Sequence, residues 1–177
     1  MTVSSINSEL QDWTQFYTAV AGVAGVLVGL LFVALALSPG IMRDSSPPGL
    51  RIWCSETFHG LMLMLTYSLL FLIPDPSGPG IGVPILAVSL LGIRQVWLDM
   101  RDLRNDPDPR WSKNHAALKR FSYIIAAYTA ASAIGISLAL NQSDFIDWMV
   151  LPIFLLLINS AINCWAILKE IGNLPGR

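Results

Sequence analysis

The residues of this sequence that are best suited to chemistry are Glu56 and His59, which lie three positions apart in a largely apolar stretch. Residues three apart share one face of a helix, and a carboxylate with an imidazole on one face is the ligand pair of di-iron helical bundles. Such a centre needs further carboxylates, and we expect none from the other apolar stretches. A haem bound through His59 would lack a second histidine ligand. We therefore predict no metal site and no cofactor.

Three further polar side chains lie at a similar depth, namely Arg94 in the third apolar run and Asn159 and Asn163 in the fifth. At 1.5 Å per residue, Glu56, His59 and Arg94 are about 6, 10 and 8 Å inside the same end of their helices. We predict one intramembrane polar cluster of these five residues, with an ion pair between Glu56 and Arg94. Histidine titrates near neutral pH, so His59 is expected to make this region sensitive to pH.

Two interpretations of this cluster are open. Ionisable groups inside a membrane often line the path of an ion or bind a ligand. Alternatively, Arg94 extends to the headgroups, Glu56 neutralises it, and the asparagines only bridge neighbouring helices.

Signatures of catalysis are missing from the sequence, which has no phosphate-binding glycine loop with lysine, no nucleophile elbow and no paired-cysteine motif. Asp106 and Asp108 fall in a D-P-D-P segment, where prolines break one helix and Asp108 is suited to cap the next. Cys54 and Cys164 lie in or beside apolar runs, where thiols usually act as small apolar groups. We expect the protein not to be an enzyme.

The polar residues are set in a strongly apolar chain of 177 residues, of which 54% are hydrophobic and 13% charged. Its mean hydropathy is +0.57. About 20 apolar residues cross a bilayer as a helix, so the sequence predicts a single domain, 1–177, built as an all-α integral membrane bundle. We expect about five transmembrane helices, at 13–37, 52–73, 81–100, 121–140 and 148–168. No Lys or Arg precedes the first helix, which argues against a cleaved signal peptide.

Orientation follows from the eleven Lys and Arg residues, because basic residues favour short cytoplasmic loops. They lie between helices one and two, around the loop 101–120, and after helix five. The opposite side has no Lys or Arg. The pattern predicts an amino terminus outside, a carboxyl terminus in the cytoplasm, and 101–120 as a cytoplasmic loop.

Rows of small residues at i,i+4 spacing indicate helix faces that allow close approach in lipid. The first helix carries Ala21, Gly25 and Gly29, and the fourth carries Ala127, Ala131 and Gly135. We predict that these faces mediate helix packing, either within the chain or between copies of it.

The first helix also has a W-x-x-F-Y pattern from Trp13 to Tyr17, followed by an Ala/Gly-rich turn and the string GLLFVA at 29–34. In this it resembles the opening helix of small uncharacterised multi-span proteins of the bacterial inner membrane. The resemblance covers this helix alone. It implies localisation in a bacterial inner membrane and transfers no functional residues.

The function predicted most strongly is that of a homo-oligomeric channel or a permeation protein for small solutes or ions. The alternative is a non-catalytic accessory or regulatory membrane subunit, whose basic loop 101–120 binds a protein partner or anionic lipid. A net charge of -1 gives no indication of nucleic-acid binding. Both hypotheses place the chain in a lipid bilayer.

Overall fold

The computed structural model describes residues 3–37, 48–74, 77–105, 115–142 and 145–172. Within these ranges the chain is helical and contains no strand. The helices are α1 (Val3–Leu37), α2 (Pro48–Phe71), α3 (Gly78–Arg104), α4 (His115–Ala139) and α5 (Val150–Gly172). A short 3-10 helix, Ile146–Met149, leads directly into α5. The prediction of an all-α fold with five main helices is confirmed.

The helices extend beyond several of the predicted apolar runs. α3 continues to Arg104 rather than ending near residue 100, because the polar residues there favour a helix and the next proline is Pro107. It begins where the side chain of Ser77 accepts a hydrogen bond from the backbone N–H of Gly80, at 3.1 Å. The expected helix break and cap at Asp106 and Asp108 lie outside the described residues.

Four helices of the described chain are long and apolar enough to cross a membrane, as in a polytopic membrane protein: Trp13–Leu37, Gly78–Arg104, Phe121–Ala139 and Ile146–Ile167. α2 is long enough, with 24 residues, but it is less apolar because it carries Arg51, Glu56 and His59.

Helices α2, α3, α4 and α5 form a four-helix bundle in which α2 contacts α3, α3 contacts α4, α4 contacts α5, and α5 contacts α2. The most extensive of these contacts is between α3 and α4. α1 lies outside this bundle and packs mainly on α2. Its buried residues Tyr17, Ala24 and Leu31 are spaced by seven, so α1 buries one narrow seam and leaves most of its surface exposed.

Successive helices run in opposite directions. The ring of Tyr17 near the start of α1 stacks on that of Phe71 at the end of α2, with centroids 4.7 Å apart. The indole N–H of Trp13 donates to Asp147, just before α5, at 2.8 Å. The start of α3 at Gly78 lies against Leu138 near the end of α4. These contacts lie at one end of the bundle. The Lys and Arg residues of the described chain lie in its other half.

α3 and α4 approach most closely at Gly82 and Gly135. A Cβ atom at Gly82 would lie 2.5 Å from the backbone N of Ala139 and 2.6 Å from the carbonyl oxygen of Gly135. Only glycine permits this approach, because the obstructing atoms belong to the backbone of α4. The crossing fixes the relative positions of the two helices that form most of the candidate site.

Candidate functional site

A cavity of about 250 Å³ lies between α2, α3 and α4, in the half of the bundle that holds the basic residues. Polar side chains from three helices line it together with apolar ones. The polar residues are Glu56, His59, Arg94, Gln95, Asp99 and Tyr128. The apolar residues are Leu63, Val88, Leu91, Val96 and Ile124, with Gly92. Three of the five residues predicted to cluster, Glu56, His59 and Arg94, thus line one cavity.

Glu56 lines the cavity and also contacts α5, a helix that does not line it. Its side chain is 2% exposed, and its Oε1 accepts a hydrogen bond from Nδ2 of Asn159 on α5, at 3.1 Å. This bond crosses the α2–α5 interface and orients the carboxylate, since a buried carboxylate requires donors. Asn159 therefore belongs to the site through Glu56, although it does not itself line the cavity.

His59 lies one helical turn further along α2, with an exposed side chain at the rim of the cavity. Its Nδ1 is 2.7 Å from the carbonyl oxygen of Ser55. A nitrogen that faces a carbonyl must donate, so Nδ1 carries the proton, and Nε2 of the neutral ring is an acceptor. The hydrogen bond fixes the ring within its own helix.

Arg94 is also exposed at the rim, on α3. Within the described part of the chain it forms no ion pair, so the predicted bond between Glu56 and Arg94 is absent there. The reason is geometric, because an oxygen of the Glu56 carboxylate is directed to Asn159 on α5, whereas Arg94 is an exposed residue of α3.

The predicted cluster did not include three polar residues that line the cavity, namely Gln95, Asp99 and Tyr128. Asp99 is 9% exposed, and its Oδ1 accepts a hydrogen bond from Nε2 of Gln95, at 3.0 Å. The expectation of no second carboxylate in the apolar part of the chain was therefore wrong. A signal was present, because the inward positions of α3 alternate in steps of three and four: Gly82, Ile85, Ser89, Gly92, Val96, Asp99 and Leu103. Extending that spacing to residue 99 places Asp99 on the face of α3 that is buried in the bundle.

A second group of polar side chains is buried where α5 packs on α2. Asn163 is fully buried, and within the described chain neither its Oδ1 nor its Nδ2 has a hydrogen-bond partner. The same holds for the Oγ of Ser160, which lies so close to α2 that a Cβ at Gly60 would be 3.1 Å from it. Asn163 does not line the cavity, so it joins the predicted cluster only through its neighbour Asn159.

The two rows of small residues have different environments. Ala127 and Ala131 are fully buried in the bundle, and Gly135 meets Gly82 at the α3–α4 crossing. On α1, by contrast, a Cβ added at Gly25 or Gly29 would meet no atom within 4 Å, and Ala21 is half-buried. One row is thus used inside the chain, and the other faces outward.

The arrangement offers two carboxylates, a guanidinium, an imidazole and a phenol around one cavity, which are groups suited to binding a small polar molecule. No group of three or more His, Cys, Asp or Glu side chains in the described residues is placed to hold a metal ion. The thiols of Cys54 and Cys164 are both free.

Compared with protein-family models, curated proteins and solved structures, the chain matches none. The resemblance of α1 to small bacterial multi-span proteins therefore stays a prediction.

Proposed function

We propose that this protein carries a small polar solute or ion across a membrane, and that the cavity between α2, α3 and α4 is its binding site. The observation that supports this is the presence of Glu56 and Asp99, both buried, on the wall of a cavity in a bundle whose helices α3, α4 and α5 are long and apolar enough to cross a membrane. Burial of charged groups among apolar helices is unfavourable, and such groups usually serve a ligand or an ion.

α2 is the fifth span in this proposal. It lies between α1, α3 and α5, so neighbouring helices rather than lipid cover much of its surface. A helix in this position tolerates Glu56, because a polar residue can face the bundle interior. With five antiparallel spans, all segments that contain Lys or Arg lie on the same side of the membrane.

The proposed orientation has the amino terminus outside and the carboxyl terminus in the cytoplasm of a bacterium, with the protein in the inner membrane. The one-sided distribution of Lys and Arg supports this orientation. The cavity would then be nearer the cytoplasmic side.

We further propose that several copies assemble, with the row Ala21, Gly25 and Gly29 of α1 at the contact. This row faces outward and offers open space to a neighbouring helix. Small residues allow two helix backbones to approach closely in lipid, where dispersion contacts and weak polar contacts drive association.

The direct experiment is solute flux in proteoliposomes. Replacing Val88 by Trp fills the cavity, because Val88 lies on its wall. Leu90→Trp places the same indole side chain on the same helix but at an exposed position outside the cavity. Flux should fall to the level of empty liposomes with Val88→Trp and stay close to that of the unsubstituted protein with Leu90→Trp. Equal flux for the two variants would mean that the cavity is not the path.

A second candidate function, that of an accessory subunit, is favoured by a different surface. Trp97, Arg101 and Arg104 border a shallow groove of about 170 Å³ at the end of α3 that carries the basic residues. Exposed arginines beside an interfacial tryptophan suit an anionic lipid headgroup or an acidic partner. A fixed complex with another protein, together with no flux, would favour this function.

A further inference from the structure

The charged groups of the cavity are separated by sign. The two carboxylates, on Glu56 and Asp99, are 2% and 9% exposed, whereas Arg94 and His59 are exposed at the rim. A ligand that fills the cavity would therefore meet negative groups inside and positive groups at the opening. The site is therefore suited to a ligand that carries a positive and a negative group at different positions.

The remaining wall and the size of the cavity limit the ligand further. Leu63, Val88 and Ile124 supply apolar surface from three helices. The volume of about 250 Å³ is below the range of roughly 300 to 1,000 Å³ that is typical of sites for drug-sized ligands. The occupant must be small and must have an apolar part beside its charged groups.

We propose that the cavity binds a small zwitterion of the amino-acid type. Its ammonium group lies toward Glu56 and Asp99, its carboxylate binds the guanidinium of Arg94, and its apolar side group contacts Leu63 and Val88. This inference rests on the proposed function, because it names the class of solute that would use the site.

The zwitterion fits better than an ion of either sign alone. A simple amine could approach the buried carboxylates but would offer no group to Arg94, and a simple carboxylate would approach two buried negative groups. Uncompensated charges and like-charge contacts each weaken binding. The guanidinium is also the side chain best suited to a carboxylate, since its N–H groups can donate in parallel.

Binding can be measured by titration calorimetry of the purified full-length protein in detergent with three probes. Leucine has both charges, isoamylamine is leucine without the carboxylate, and isocaproate is leucine without the amino group. Leucine should bind more tightly than either probe by roughly tenfold or more, because each probe lacks one of the two charged groups that form hydrogen bonds in the site.

Two variants separate the two ends of the site. Arg94→Gln should weaken leucine by roughly tenfold and leave isoamylamine unchanged, whereas Asp99→Asn should weaken both leucine and isoamylamine. The matched controls are Arg101→Gln on α3 and Asp147→Asn before α5, which remove the same charges from exposed positions outside the cavity. Neither control should change the affinity for any probe.

Tighter binding of isoamylamine than of leucine would overturn the proposal, and so would an equal loss of both probes on Arg94→Gln. If Asp99→Asn does not fold, Arg94→Gln still tests the proposal, because Arg94 is exposed and its replacement should not disturb folding. Flux in proteoliposomes is measured separately. Flux of another solute without leucine binding would refute the zwitterion and retain permeation, whereas leucine binding without any flux would retain the zwitterion and refute permeation.

Discussion

Asn159 and Asn163 lie one turn apart on α5, and both are buried against α2, yet their amides have different surroundings. Asn159 donates to Glu56, whereas within the described chain the amide of Asn163 has no partner. A buried polar group without a partner is unfavourable, so replacing it by an apolar group of similar shape is neutral or stabilising. The two residues therefore allow a matched comparison.

Asn163→Leu should raise the free energy of unfolding by about 1 to 3 kcal/mol. Asn159→Leu should lower it by a similar amount, because the buried carboxylate of Glu56 loses the hydrogen bond from this amide. Thermal unfolding in detergent measures both. A loss of stability on Asn163→Leu would contradict the prediction and indicate that a bound water or ligand satisfies this amide.

At the level of single residues, the sequence predicted part of the site. Glu56, His59 and Arg94 could be brought together because their depths follow from the helix rise. Asp99 was not found in that way, although it lies within the predicted third helix, because it is close to the charged end of that helix. Its place in the site depends on which face of α3 turns toward α2 and α4, and depth alone does not fix that rotation.

At the level of helices, α3 and α4 depend on the glycines at their crossing. Gly82→Ala should lower the free energy of unfolding by about 1 to 3 kcal/mol, because the added Cβ collides with the backbone of α4. Gly22→Ala on α1 is the control, and it should raise stability by about 0.5 to 1 kcal/mol, since a Cβ there meets no atom within 4 Å and alanine favours a helix. Unfolding in detergent compares the two, and a stabilising Gly82→Ala would show that the crossing is looser than described.

The helices also show why α2 differs from its neighbours in composition. The strongly apolar α1 exposes most of its surface, whereas α2 contacts three other helices. A helix shielded in this way needs less apolar surface to lie in a membrane, and its polar residues can face the cavity. In the proposed arrangement with α2 as a fifth span, hydropathy alone underestimates α2, although its length was predicted to suffice.

At the level of the whole molecule, the orientation of the chain across the membrane can be tested with reporter fusions. A reporter fused after Arg177 should report a cytoplasmic location, and one inserted in the turn that includes Pro74 should report an external one. The reason is that all eleven Lys and Arg residues belong to one side of the predicted topology. The reverse result at either position would require a different number of spans.

Assembly of several copies is expected to depend on the small-residue row of α1. Gly25→Leu should shift the purified protein toward smaller species on a sizing column, because a large side chain in this row separates closely packed helices. Ala34→Leu is the control, since nine residues later the side chain points to the opposite side of α1, where it is also exposed. An identical shift for the two variants, or none for either, would mean that this face of α1 is not the contact.

The sequence alone determined the class of this protein. Its composition, the lengths of its apolar runs and the spacing of its polar residues predicted an all-α chain with a polar cluster, because bilayer thickness and helix geometry leave few alternatives for such segments. The folded structure was needed to show that α1 lies outside the four-helix bundle, that Asp99 lines the cavity, and that Glu56 contacts Asn159 rather than Arg94. Those features depend on the rotation of each helix about its axis and on the choice of its neighbours. Both are settled by side-chain packing between segments that are distant in the sequence.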